Sequence, residues 1–253
     1  MRFTVLGSGS RGNATLVEVG ATSVLLDCGF SLVQLEQRLA RAGKRARDLT
    51  AVLVTHEHGD HASGVTALAR THGVAVWATP GTARAAKLLD LPECREFDCH
   101  APFAIGDVEV RPFPVPHDAR EPCQFVFGDG ARRLGILTDV GAATPHIVAS
   151  LSGCDALVLE CNHEAAMLAA GHYPPSLKQR VGGRHGHLSN AQAAGLLAEL
   201  DSGRFQHVVA AHLSEKNNYP RLARRALAEV MHCDDEWIAV ADQEQGLEWR
   251  DLR

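Results

Sequence analysis

The sequence predicts an α/β protein arranged as a four-layer αββα sandwich, with two β-sheets packed face to face and helices outside. Three observations lead there. Strand-like and helix-like segments alternate along the chain, and each half runs from strands to helices. No linker, low-complexity tract or tandem repeat divides the 253 residues. That length allows one large domain or two small ones with a substantial core, and without a linker residues 1–253 are expected to form a single domain.

Residues 3–6, 14–19 and 23–26 read as strands, with Gly20-Ala21-Thr22 turning between the last two. Residues 32–42 have helical spacing, with Leu32, Leu35 and Leu39 on one face. The apolar run 51–54 is a short strand. A helix over 63–72 and a strand over 74–78 follow, and Thr79-Pro80-Gly81 opens a helix to Leu89. Residues 108–113 and 124–127 are strands, and Asp129-Gly130 signals a hairpin into 134–137. The second half repeats the rhythm: helix 145–151, strand 156–160, helix 163–169, loop 171–186, helix 189–200, strand 206–211 and helix 220–231. A last pair of strands covers 237–240 and 246–249.

Composition excludes some classes. No run reaches the ~18 apolar residues that span a bilayer, and the N-terminus lacks the apolar core of a signal peptide. Seven cysteines, odd in number and without a C-x-x-C pair, do not make a disulfide framework. A reducing cytoplasm is the expected compartment. The net charge of −5 argues against broad nonspecific nucleic-acid binding but leaves room for a local basic groove. Gly7-x-Gly9-x-x-Gly12 matches a dinucleotide fingerprint, with Asp27 at the spacing of a ribose-binding acid. That motif needs a helix after the glycines, whereas 13–19 alternates like a strand. A glycine-rich turn is the expected structure.

The informative cluster is His56-Glu57-His58-Gly59-Asp60-His61. It follows a strand, so it is expected on a loop whose side chains point in different directions. His-x-His supplies two imidazoles to one ion, and Asp-His supplies a carboxylate and an imidazole to its neighbour. Such nitrogen and oxygen donors suit borderline cations such as Zn²⁺.

Thr55-His56-Glu57-His58-Gly59-Asp60-His61 resembles the H-x-H-x-D-H signature of the metallo-β-lactamase superfamily, and the resemblance runs in order along nearly the whole chain. It implies the metallo-β-lactamase fold. It implies that His56, His58 and His117 hold one divalent ion, that Asp60, His61 and His212 hold another, and that Asp139 bridges them. Asp27 matches the early acid that supports the site without binding metal. The implied cofactors are two divalent ions, Zn²⁺ first and Mn²⁺ second. Common β-lactamases carry cysteine where this chain has Asp139, so antibiotic hydrolysis is not expected.

Like the opening Leu6-Gly7-Ser8-Gly9-Ser10-x-Gly12-Asn13, three later blocks, around Leu159-Glu160-Cys161-Asn162-His163, Gly186-His187-Leu188-Ser189 and Ala211-His212-Leu213-Ser214, resemble the YycJ/WalJ-like branch, which is regarded as nuclease-like. The first two also resemble blocks of tRNA 3′-processing endonucleases, in which a glutamate–histidine pair assists proton transfer to the leaving group. Only 22 positions separate His117 from Asp139, too few for the tRNA-gripping arm of those endonucleases. The 73 between Asp139 and His212 are too few for a β-CASP insertion. The implied function is a phosphodiesterase or nuclease in which a metal-bridging hydroxide attacks, Asp60 or Asp139 takes its proton, and His187, oriented by Glu160, protonates the alkoxide. The substrate is nucleic acid or another phosphodiester, with no membrane partner and oligomeric state open. A glyoxalase-II-like thioesterase or other small-ester hydrolase is the alternative, and a non-catalytic metal-binding partner is the third reading. Lys178, Arg180 and Arg184 could meet phosphates or form a solvated loop. His163 could touch substrate or cap a helix. Cys28 and Cys161 are read as buried and inert.

Overall fold

Apolar residues on both faces of a strand require cover on both sides, and this chain supplies it twice. In the computed structural model, which describes residues 1–253, the elements in chain order are β1 (Arg2–Gly7), β2 (Ala14–Val19), β3 (Thr22–Leu26), α1 (Leu32–Arg41), β4 (Ala51–Leu53), α2 (Gly59–Ala62), α3 (Val65–His72), β5 (Ala75–Ala78), α4 (Pro80–Ala85) and β6 (Cys94–Glu96). There follow β7 (Phe103–Ile105), β8 (Val108–Pro114), β9 (Cys123–Gly128), β10 (Arg133–Leu137), α5 (Pro145–Leu151), β11 (Ala156–Glu160), α6 (Ala165–Ala170) and α7 (Pro175–Val181). The chain ends with α8 (Asn190–Glu199), β12 (His207–Ala211), α9 (Pro220–Met231), β13 (Ala239–Val240) and β14 (Leu247–Asp251).

These strands form two seven-stranded mixed sheets, ordered β14-β1-β2-β3-β4-β5-β6 and β13-β12-β11-β10-β9-β8-β7. Side chains alternate between two cores, as the period of two along a strand requires. In β11, Ala156 and Val158 enter the core between the sheets, while Leu157 and Leu159 pack under the outer helices. In β4, Ala51 and Leu53 face the other sheet and Val52 faces Leu35, Leu39 and Leu68 of α1 and α3. Phe3 and Val17 of the first sheet meet Phe125 and Phe127 of the second in the middle layer. Truncating one of these fully buried leucines to alanine costs about 2–5 kcal/mol. The expected αββα sandwich is therefore the observed one.

Both sheets contain a parallel run, β3-β4-β5-β6 and β10-β11-β12-β13. Parallel strands end on the same edge, and that edge gathers Asp27, Thr55, Asp139, Glu160 and His212. The glycine-rich motif is a turn between β1 and β2, with no helix after it.

Some boundaries differ from the sequence reading. The helix from Pro80 stops at Ala85, and Lys87 turns left-handed at φ 57°. Short edge strands β6 and β7 were not expected. The loop 171–186 contains α7, which buries none of its residues and so carries no apolar period to read. No helix is long and apolar enough to cross a membrane.

Candidate metal centre

The histidine cluster begins where β4 ends. Asp27, Asp139 and His212 each follow a strand and each adopts a left-handed backbone, with φ of 61°, 54° and 53°. That conformation is costly for residues other than glycine and concentrates at functional sites. The fold tolerates it because close contacts fix the loops. A Cβ on Gly29 would stand 1.8 Å from the Asp60 carbonyl oxygen, and one on Gly141 would stand 2.4 Å from the Arg184 backbone.

Hydrogen bonds decide which nitrogen each imidazole presents. His61 Nδ1 donates to buried Asp27 Oδ2 at 2.7 Å, and Asp27 also accepts from Thr55 N at 2.8 Å. His117 Nδ1 donates to the Gly186 carbonyl at 3.1 Å, and His212 Nδ1 to Glu160 Oε1 at 2.9 Å. His56 Nδ1 lies 2.9 Å from Thr55 Oγ1. In all four, Nε2 is the nitrogen turned toward the other donors.

Two groups of donors result. His56 Nε2 and His117 Nε2 stand 3.1 and 3.3 Å from His58 Nδ1. Nitrogens bound at about 2.0–2.1 Å to one tetrahedral ion stand about 3.3 Å apart, so the spacing fits a cation. Asp60, His61, Asp139 and His212 form the second group. Asp139 reaches toward both, with Oδ2 3.0 Å from His61 Nε2 and Oδ1 3.9 Å from His117 Nε2. Asp139 Oδ2 and His212 Nε2 are buried without a hydrogen-bond partner, because their contacts with neighbours lack hydrogen-bond distance or angle. Buried orphaned donors of these types are what a divalent ion would satisfy.

The electrostatics agree. Burial, helped by His61, holds His56 well below its ordinary value, and burial lowers His117, so both are neutral donors. Burial opposes ionisation of Asp139, but His212 and His61 outweigh it and keep the carboxylate ionised. For Asp60 the same two imidazoles likewise overcome burial. His212 is pushed up to about 10, since Asp139, Asp60 and Glu160 outweigh its burial. The imidazolium is thus the carboxylates' counter-charge, a role a bound cation would take over.

Glu160 is fully buried and accepts from five groups. These are His187 Nδ1, His212 Nδ1 and the backbone N–H groups of Asp139, Val140 and Leu188. Burial raises its pKa, but His187 and His212 win and hold it at about 2. Burial lowers His187, yet Glu160 outweighs it and the net shift is upward. Ser189 caps α8 in a capping box with Gln192, fixing the turn that delivers His187.

The cleft holds about 360 Å³ and is lined by His58, Asp60, His117, Asp139, His187 and His212, together with Arg180 and Asp118. Of the four candidate substrate contacts, only Arg180 lies there. Lys178 Nζ donates to the Ala169 carbonyl at 2.6 Å, in the last turn of α6. Arg184 is exposed and does not line the cleft. His163 is 3% exposed, and its backbone pairs with Ser189 and Asn190 beside α8. Cys28 and Cys161 are buried, and burial pushes Cys28 up to about 12. Sequence reasoning missed two residues of the glycine-rich turn. Ser8 Oγ accepts from His212 N at 2.8 Å, and Asn13 Nδ2 lies 3.1 Å from His61 Nε2. It also gave Asp118 and Asn162 no role.

Residues 22–212 match the beta-lactamase superfamily domain. The chain is 36% identical over 239 residues to exodeoxyribonuclease YycJ of Bacillus anthracis, covering 91% of this chain and 89% of that protein. It is 30% identical over 245 residues to exodeoxyribonuclease WalJ of Streptococcus pneumoniae, covering 94% and 91%. The metallo-β-lactamase fold protein YhfI of Bacillus subtilis superposes over 99% of both chains with a TM-score of 0.76 at 16% identity, which speaks for the fold alone. The chain belongs to the metallo-β-lactamase superfamily, in the branch that YycJ and WalJ represent.

Proposed function

We propose that residues 1–253 act as one domain, a dinuclear metal-dependent phosphodiesterase that cleaves nucleic acid, with DNA as the favoured substrate. In this reading His56, His58 and His117 hold one ion, Asp60, His61 and His212 the other, and Asp139 lies between. Zn²⁺ suits the nitrogen-rich first group, and Mn²⁺ is the second choice.

When bound, the two cations supply Lewis acidity toward a phosphoryl oxygen and a water acidic enough to attack at neutral pH. The remaining steps belong to the protein. Asp60 or Asp139, the two carboxylates of the second group, accepts a proton from the attacking water. His187 is held at Nδ1 by Glu160 and directs Nε2 toward the cleft. There it donates a proton to the departing alkoxide oxygen.

The Glu160–His187 contact of 2.9 Å carries this reading. A thiolate leaves without a proton, so a thioesterase gains little from such a pair, whereas a nucleoside alkoxide needs it. The names of the YycJ and WalJ relatives support the same substrate class. Metal-loaded protein should shorten labelled single-stranded DNA, lose that activity to a chelator and regain it with Zn²⁺ or Mn²⁺. Hydrolysis of a glutathione thioester with no cleavage of DNA would refute the reading.

A further inference from the structure

Among the residues lining the metal cleft, Arg180 is the one arginine or lysine. Its Nε donates to Asp118 Oδ2 at 2.6 Å, and both terminal guanidinium nitrogens have no protein partner. Asp118 follows His117 in sequence, and its Oδ1 lies 3.5 Å from His117 Nε2. The guanidinium is therefore parked at the edge of the first donor group.

Its delivery is rigid although α7 is exposed. Asp118 N donates to the His185 carbonyl at 3.0 Å, and His187 N to the Val181 carbonyl at 2.8 Å. With the His117–Gly186 bond, these tie the end of α7 to one donor histidine and to His187. The Arg180 and Asp118 side chains are 61% and 31% exposed. An ion pair so open to water is weak and readily exchanged. A phosphate offers the guanidinium a bidentate, charge-assisted partner instead.

We propose that Arg180 anchors a substrate phosphate at the cleft and that Asp118 is the place-holder it releases when the strand binds. Resting on the phosphodiester reading, this makes the substrate a phosphate-bearing strand and leaves a neutral ester without a partner. Arg180 then supplies binding that is equal in ground and transition states.

The test combines calorimetric binding of thymidine 5′-monophosphate to the metal-loaded protein with kinetics on single-stranded DNA. Arg180→Ala is expected to weaken nucleotide binding and raise KM by about 10–100-fold, with kcat changed less than about threefold. Arg180→Lys should recover only part of the loss. Asp118→Asn should tighten nucleotide binding, and by less when Arg180 is already alanine. Unchanged binding and KM in Arg180→Ala, or a loss confined to kcat, would overturn the proposal. If the wild-type protein cleaves no phosphodiester, the nuclease reading fails, while the calorimetry still decides whether Arg180 binds phosphate.

Discussion

His187 and His212 donate their Nδ1 hydrogens to the same atom, Oε1 of Glu160, each at 2.9 Å. One buried carboxylate thus sets the orientation of a cleft-facing imidazole and of a candidate metal donor. Asp27 does the corresponding work in the first half, holding His61 and Thr55 at the end of β3. Each sheet contributes a buried acid at a strand end, and neither acid needs to touch a metal to govern one.

Glu160→Gln keeps the shape but replaces one acceptor oxygen by a donor nitrogen, so two imidazoles and three N–H groups compete for a single oxygen. Losing such a supporting partner typically costs about 10–100-fold in metal affinity or activity. Glu160→Gln should show both losses, measured by competitive metal titration and by DNA cleavage. Unchanged metal affinity would confine Glu160 to His187 and separate it from the metal centre.

Gently purified protein should carry close to two equivalents of transition metal by elemental analysis. Asp139→Ala should fall to one equivalent or fewer, because Asp139 faces both donor groups. Chelation should lower the Tm, since ions that bind only the folded state stabilise it by mass action. A wild-type stoichiometry that stays at one after reconstitution contradicts the dinuclear assignment.

Glu18 offers a stability test remote from the cleft. Burial raises its pKa, but Lys44, Ser23 and Arg2 outweigh it and the net shift is downward. Arg2 Nε donates at 2.8 Å and Ser23 Oγ at 2.8 Å, and Lys44 completes the pairing. A depressed folded pKa gives stability that is present above the unfolded value of about 4.3 and lost as pH falls through the folded value. Glu18→Gln should therefore be less stable at neutral pH and lose less on acidification. Parallel Tm profiles for the two proteins would contradict this.

The sandwich was legible because its buried strands are apolar and its helices follow an apolar period. Part of each donor group was legible from His56 to His61 alone, two donors of each, since they are adjacent in the chain. His117, Asp139 and His212 were legible only through the superfamily resemblance, each being a single residue at a strand end. Ser8 and Asn13 stood in a run that carries the resemblance, but what they touch was not legible. The partners, His212 for Ser8 and His61 for Asn13, lie 204 and 48 positions away; strand order within the first sheet brings Asn13 to His61, and packing of the two sheets brings Ser8 to His212. Which of Lys178, Arg180 and Arg184 borders the cleft was not legible either. A basic run has no direction until the helix is placed, and of its three cations only Arg180, on α7 with Leu177 and Val181, lines the cleft.

The measurement that reaches the central claim most directly compares His187→Ala on two leaving groups. A nitrophenolate departs without a proton, whereas a nucleoside alkoxide does not, and general acid catalysis typically contributes about 10²–10⁴-fold to the second. His187→Ala should lose that factor on an oligonucleotide and retain much of its activity on bis(p-nitrophenyl) phosphate, while His56→Ala should lose both activities. Equal losses of His187→Ala on the two substrates, or no loss on either, would contradict a phosphodiesterase that uses His187 as its leaving-group acid.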